Sequence, residues 1–254
     1  MRFEVYSPCE QLLPYIRQII ISENDDAASY TVLPDTNLVM GFQYRGRLSY
    51  LDGGNENLLT TLGITGLLDT YRVFQNTAGV GSVLVKFREN GAACLVRTPL
   101  HELFCKSLSL EHFFSNSSLH ELEEQLVMAP GDLARVRLVE DFLISHLQER
   151  PPDLLVQRAL EYIKLSKGTI RMQDLASRLN ISASPLEKRF RAEVGSAPKK
   201  FATIVRARHV ISAMEQDNQH IAEYLSSFYD QSHFIRYFKK FAGVTPEQFL
   251  KGLL

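Results

Sequence analysis

Cysteine is scarce in this chain. Cys9, Cys94 and Cys105 are the only three in 254 residues. No two are close enough in sequence to suggest a disulfide framework, and such sparse thiols point to a reducing cytoplasm. No apolar run approaches the ~18 residues of a membrane span. The opening Met1-Arg2-Phe3-Glu4 is not followed by an apolar signal region. Histidine is absent before His101, so the N-terminal stretch lacks the commonest metal ligand. Cys94, His101, Cys105 and His112 show none of the close paired spacings of a structural zinc site. A glycine-rich phosphate loop, a Ser/His/Asp order and a paired-carboxylate motif are also missing. Gly79-Val80-Gly81 lacks the third glycine and the following helix, and reads as a turn. No catalytic residue, metal or cofactor is therefore expected.

Net charge is only -1, but it is unevenly spread. From Asp153 onward there are 16 Lys+Arg against 10 Asp+Glu, a net of +6. Residues 1–152 carry 12 against 19, a net of -7. That split suits a basic C-terminal module for a polyanion and an acidic N-terminal module that stays off it. The division falls at Gln148-Glu149-Arg150-Pro151-Pro152-Asp153, where two prolines break any helix and Asp153 is placed to cap the next one.

Before this boundary the chain is rich in short β-like runs: Ile16 to Ile21, Asn37 to Tyr44, Arg47 to Leu51 and Ser82 to Phe87. Tyr44-Arg45-Gly46-Arg47 reads as a hairpin turn between two of them. Pro99-Leu100-His101-Glu102-Leu103 opens a helical stretch, and Leu119 to Val127 and Leu133 to Leu147 carry apolar residues three and four apart. After the boundary only helices are expected: Leu154–Leu165, Arg171–Leu179, one capped by Ser182 or Ser184 with Pro185 near its start, Pro198 to about Gln216, Ile221 to about Ser226, one capped by Asp230 or Ser232 and running to Ala242, and Pro246–Leu250. The expected fold class is α+β in two domains. A β-rich, barrel- or sandwich-like domain with trailing helices spans 1–150. An all-α domain of seven helices, forming two helix-turn-helix units, spans 153–254.

That last reading rests on a repeat. Slid by 48 positions, Leu186 falls on Phe234, Phe190 on Phe238, Arg191 on Lys239, Gly195 on Gly243, Pro198 on Pro246 and Phe201 on Phe249. Each copy is a helix with apolar residues four apart, cations between them and a Gly-x-x-Pro stop. In the first copy Leu186, Phe190 and Val194 form the inner stripe, leaving Ser184, Glu187, Lys188 and Arg191 outward. In the second, Phe234, Phe238 and Phe241 point inward, leaving Gln231, Ser232, His233, Arg236, Lys239 and Lys240 outward. Residues near the N-terminal end of such a helix enter the major groove. Glu187 suits cytosine N4, Lys188 and Arg236 suit guanine, and Gln231 suits adenine. Arg191, Lys239 and Lys240 lie farther along and suit phosphate, as does Ser182 at the helix entrance. A connecting helix of about 17 residues spans ~25 Å, close to the ~34 Å of one groove repeat once its end loops are added.

The string Phe228-Tyr229-Asp230-Gln231-Ser232-His233-Phe234-Ile235-Arg236-Tyr237-Phe238-Lys239-Lys240-Phe241-Ala242-Gly243-Val244-Thr245-Pro246 resembles the signature of the AraC-type transcription regulators. Leu186 to Phe190 with Gly195 and Pro198 matches too, so the resemblance covers residues 153–254. It implies two helix-turn-helix units on a connecting helix. Ser184, Glu187 and Lys188 would take the base-reading positions of the first unit, and Gln231, Ser232, His233 and Arg236 those of the second. The chain departs from the family where Ser227 replaces a usual glycine and Glu223-Tyr224 replaces a usual Ile-Ala pair. A Glu at that core register must turn outward or be desolvated. The N-terminal part more weakly resembles the β-rich sensor or dimerisation domains fused to such regulators, through Leu33-Pro34-Asp35, Gly63-Ile64-Thr65-Gly66 and Phe87 with Gly91-Ala92-Ala93.

The expectation is a cytoplasmic transcription regulator without catalysis. Its partners would be double-stranded DNA, a small-molecule effector, RNA polymerase and a second copy in a homodimer, with no membrane. Two other classes remain: a metal-dependent or sugar-acting small-barrel enzyme with an appended helical module, and a helical domain used for protein contacts.

Overall fold

The computed structural model of the protein describes residues 1–148, 150, 151, 153–215 and 231–253; the side chains of 231–234 and 253 lie outside that description. Among the described residues, ten strands build two antiparallel sheets. β1 (Arg2–Tyr6), β2 (Ile16–Asn24), β9 (Val80–Phe87), β4 (Val39–Arg45), β7 (Leu62–Thr65) and β10 (Ser107–Ser109) lie in that order in a six-stranded sheet. β3 (Ala28–Val32), β8 (Arg72–Asn76), β5 (Leu48–Asp52) and β6 (Asn55–Leu58) form a four-stranded one.

Alternation along the strands decides what each face does. Ile19 and Ile21, Met40 and Phe42, and Val83 and Val85 are buried on one face of the larger sheet. That face packs under α1 (Asn116–Met128) and α2 (Asp132–Ser145), where Phe42 meets Phe142 edge-on at 6.1 Å. The intervening residues mix small or polar ones, among them Gly41, Gln43, Gly63, Thr65 and Ser82, with the apolar Ile20, Val39 and Leu84. They face the smaller sheet and leave space between.

The remaining α-helices among the described residues are α3 (Leu154–Leu165), α4 (Met172–Arg178), α5 (Ala183–Val194), α6 (Pro198–Glu215), α7 (Gln231–Ala242) and α8 (Pro246–Leu253). Asp153 caps α3, its carboxylate accepting from the Leu155 and Val156 amides at 3.0 and 3.2 Å. The two copies of the repeat end alike. Gly195 and Gly243 both take left-handed φ values, +97° and +82°, and their amides donate back to the Arg191 and Lys239 carbonyls at 3.1 and 2.8 Å. This closure suits glycine because it lacks a Cβ. Pro198 and Pro246 then each open a helix at its first position.

No solvent gap separates the sheets from α3–α6. One hydrophobic cluster runs from Leu12 through Phe142, Ile163 and Phe190 to Val205. A second joins Ile204, Ala207, Ile211 and Met214 of α6 to Phe238 and Phe241 of α7, with Leu33 of the sheet region packed against it. No helix among the described residues is long and apolar enough to cross a membrane.

Three local expectations are corrected. Tyr44–Arg47 is not a hairpin turn, because both edges of β4 are already occupied by β9 and β7. The chain instead leaves one sheet for the other, where β5 pairs with β8 and β6. Pro99–Leu103 opens only a single 3-10 turn, Leu100–Leu103. The chain then reverses through Cys105, at φ +57°, because the free edge of β7 draws Ser107–Ser109 into its ladder. Ser182 precedes α5 but makes no side-chain cap bond, and Pro185 is the third helical residue. A proline there has no N–H for a cap to receive. The helix expected at Ile221–Ser226, with Glu223, Tyr224 and Ser227, lies outside the described residues.

Candidate nucleic-acid interface

α4 and α5 form the first unit. Leu175 and Ala176 of α4 and Leu186, Phe190 and Val194 of α5 are buried, and Phe190 meets Phe201 of α6 edge-on at 5.6 Å. With one side of α5 fixed inward, Ser182, Ser184, Glu187, Lys188 and Arg191 all emerge exposed. Glu187 and Arg191 form a loose i,i+4 pair at 3.6 Å. Arg189, not among the expected contacts, is also exposed, but it is bound through two nitrogens to Asp153 at 2.7 and 2.8 Å. Burial pushes the Asp153 carboxyl up, and the Arg189 bond and the α3 amides outweigh it, leaving it below its ordinary value. Behind this face Glu193 is buried and paired with Arg150. Burial and the nearby Asp153 charge raise its carboxyl despite that partner.

α7 carries the second unit. Phe238 and Phe241 are buried against α6, Phe238 also meets Phe249 of α8 at 5.6 Å, and the Tyr237 hydroxyl donates to the Thr203 carbonyl at 2.7 Å. Arg236, Lys239 and Lys240 are exposed. Gln231, Ser232 and His233 occupy the first turn of α7, with their side chains outside the described residues. The 18 residues of α6 join the two units, about 27 Å at the ordinary helical rise.

The second unit is gripped by the sheet domain. The loop after β7 holds the end of α7: Thr70 Oγ1 donates to the Lys240 carbonyl at 2.7 Å. The Tyr71 ring lies about 3.0 Å from where a Cβ on Gly243 would sit. Asp69 accepts from Lys200 Nζ at 2.8 Å and lies 3.6 Å from Lys240 Nζ. Burial would raise the Asp69 carboxyl, but the bond and charge of Lys200 hold it below its ordinary value. The loop between β3 and β4 contributes a second grip. Its Asp35 pairs with Lys86 at 2.5 Å and stands 3.8 Å from Arg208 of α6. Nothing local in sequence announces these contacts, since Asp69 and Lys200 are 131 residues apart.

Between the sheets lies a cavity of about 680 Å³. Tyr30, Tyr50 and Phe74 of the smaller sheet form an aromatic wall, with Tyr30 stacked on Phe74 at 6.1 Å and Tyr50 tilted against it at 6.3 Å. The opposite wall is the face of the larger sheet that carries Gly41, Gln43, Gly63, Thr65 and Ser82 together with Val39 and Leu84. Leu33, Asp35 and Leu68, in or beside the two gripping loops, also line the cavity. The resemblance to sensor domains gave no ligand residues; the small residues facing this space are Gly41 and Gly63, paired across β4 and β7, and Ser82 on β9.

Residues 175–252 match a family described as a helix-turn-helix domain, and residues 4–109 match a domain of unknown function. Over 159 residues the chain is 30% identical to the Msm operon regulatory protein of Streptococcus mutans, a match covering 60% of this chain and 56% of that protein. The chain thus spans about half the length of that relative. Among solved structures, ToxT from Vibrio cholerae O395 aligns with 93% of this chain and 97% of its own at 15% identity and a TM-score of 0.47. Wild-type ToxT with a bound unsaturated fatty acid, from Vibrio cholerae strain SCE256, aligns with 98% of this chain and 97% of its own, at 15% identity and a TM-score of 0.46.

Proposed function

We propose that the chain is a sequence-specific DNA-binding transcription regulator of the AraC type, on the premise that residues 175–252 match a helix-turn-helix domain. The observation that carries this reading is the matched pair of helices. α5 and α7 have the same glycine closure and the same proline restart, and each turns cations outward from a buried apolar stripe. Solvated cations on one helix are commonplace, but their recurrence at the same register with the same punctuation suits a polymer met twice.

In this reading 153–254 is the DNA-binding domain. Ser184, Glu187, Lys188, Gln231, Ser232, His233 and Arg236 read base edges, while Ser182, Arg191, Lys239 and Lys240 meet phosphate. Residues 1–150 act as sensor and dimerisation domain, with the inter-sheet cavity as effector site. The support for a sensor is physical continuity: Leu33 lines the cavity and packs on the α6–α7 cluster, and Leu68 lines it one residue before Asp69. An occupant that displaces either loop therefore changes what holds α7. A second copy of the chain and RNA polymerase complete the set of partners, on the strength of the AraC-type resemblance alone.

The test is DNA binding against salt. A mixed-sequence duplex should lose affinity steeply as salt rises, and Lys239→Ala should flatten the log–log slope by about one. Binding indifferent to salt would remove the phosphate assignments and favour a helical domain that contacts proteins.

A further inference from the structure

We propose that the inter-sheet cavity takes an uncharged, ring-bearing molecule with a hydrogen-bonding group, and not a carboxylate or phosphate. The proposal rests on the effector reading above and specifies its ligand. Three observations carry it.

The first is shape. Gly41, Gly63 and Ser82 stand on adjacent strands β4, β7 and β9 and point away from the helices, too small to reach the facing sheet. About 680 Å³ is left, within the ~300–1,000 Å³ typical of small-molecule sites. The facing wall of Tyr30, Phe74 and Tyr50 offers flat surfaces on which a ring can lie.

The second is charge. Among the described lining residues the charged side chains are Asp35 and Glu56, with no Lys, Arg or His. Asp35 is matched by Lys86, and Glu56 accepts from Ser49 Oγ at 2.6 Å. The cation beside the wall, Arg72, is engaged: it donates to Ser107 Oγ and the Cys105 carbonyl at 2.9 and 2.8 Å and stacks on Tyr50 at 4.3 Å. An anion entering here would shed water against two carboxylates with no Lys, Arg or His side chain among the described lining residues to receive it.

The third is an unmet hydroxyl. Ser82 lines the cavity, is only 2% exposed, and its Oγ has no hydrogen-bond partner among the described residues. Its neighbours are already committed: Gln43 serves the Thr60 carbonyl and the Leu48 amide, and Asn76 serves the Asp26 and Thr77 carbonyls. A buried unpaired hydroxyl is costly, and a ligand's own donor or acceptor would relieve that cost.

The experiment uses the full chain and a matched pair of probes, 2-naphthol and 2-naphthoate, in calorimetry at pH 7.5. The naphthol is expected to bind at least about tenfold more tightly than the naphthoate. Ser82→Ala should weaken naphthol binding by about threefold or more while leaving thermal stability equal or higher, because it deletes an unpaired group. Phe74→Leu should weaken it as well. Equal or tighter naphthoate binding overturns the proposal. So does the absence of naphthol binding, or naphthol binding that ignores both substitutions. Anisotropy with a ligand-free DNA duplex is run in parallel. Its failure would sink the regulator reading and leave the ligand result standing, and the reverse outcome would sink only the ligand class.

Discussion

Asp69→Asn should tighten DNA binding, although Asp69 lies outside the proposed DNA face. The carboxylate stands 2.8 Å from Lys200 and 3.6 Å from Lys240. If Lys240 serves a phosphate, it must first leave Asp69, and Asp69 then stays as a negative charge near the backbone. The Lys240 side chain is 62% exposed, so the forfeited pair is a screened one of roughly 0.5 kcal/mol. Adding the residual repulsion brings the total to about 0.5–1.4 kcal/mol, or two- to tenfold in affinity. The assay is fluorescence anisotropy with a mixed-sequence duplex between 50 and 200 mM salt. The same substitution should cost the free protein about 1 kcal/mol through loss of the closer Lys200 bond, which urea unfolding measures. In a Lys240→Ala background most of the gain in DNA affinity should disappear, since the coupling runs through one side chain. Because the Asp69 carboxyl is held below its ordinary value, it is ionised throughout pH 6–8 and the gain should not change across that range. Unchanged or weakened DNA binding, or an equal gain without Lys240, would refute the competition.

Arg236→Ala should alter sequence preference as well as affinity, by about 1–3 kcal/mol between favoured and disfavoured sites; uniform weakening in a randomised-sequence selection would show that it does not read bases. Gly243→Ala forces a Cβ onto a residue at φ +82° and against the Tyr71 ring, and a loss of roughly 1–2 kcal/mol is expected by denaturant unfolding. Phe190→Ala empties a fully buried site shared by α5 and α6 and should cost about 3–5 kcal/mol. Asp153→Ala removes the α3 cap and the Arg189 partner, costing about 1–2 kcal/mol near neutral pH. The Asp153 carboxyl is held below its ordinary value in the fold, so its contribution is present above that ordinary value and fades as pH falls through the lower, folded one. The gap between wild type and Asp153→Ala should therefore narrow in unfolding measured at pH 3.

What could be read from the chain depended on how local its cause was. Gly195, Pro198, Gly243 and Pro246 act on their own backbone, and all four do in the fold what their types suggest. The inward aromatics of α5 and α7 follow from helical spacing and needed no knowledge of partners. The turn at Tyr44–Arg47 was misread because strand pairing is decided elsewhere: β7 and β9 take both edges of β4. Asp69 was missed because its meaning depends on a lysine far along the chain. The cavity was invisible for a related reason. Gly41 and Gly63 look like ordinary interruptions of two strands until the ladder sets them opposite each other, with Ser82 on β9 across from Gln43 of the same strand as Gly41.

The hydrophobic cluster that passes unbroken from the sheets into α5 and α6 bears on how this chain can be recombined with others. The 3-10 turns at Gly91–Cys94 and Leu100–Leu103 lie against α5, and Gly195 sits beside the Leu100 carbonyl. A chimera that grafts a foreign N-terminal part onto residues 153–254 would bring a mismatched seam to the back of α5, the helix proposed to read DNA in the first unit. Exchange of modules would then require both sides of that seam to travel together, which is a heavier constraint than a flexible tether would impose.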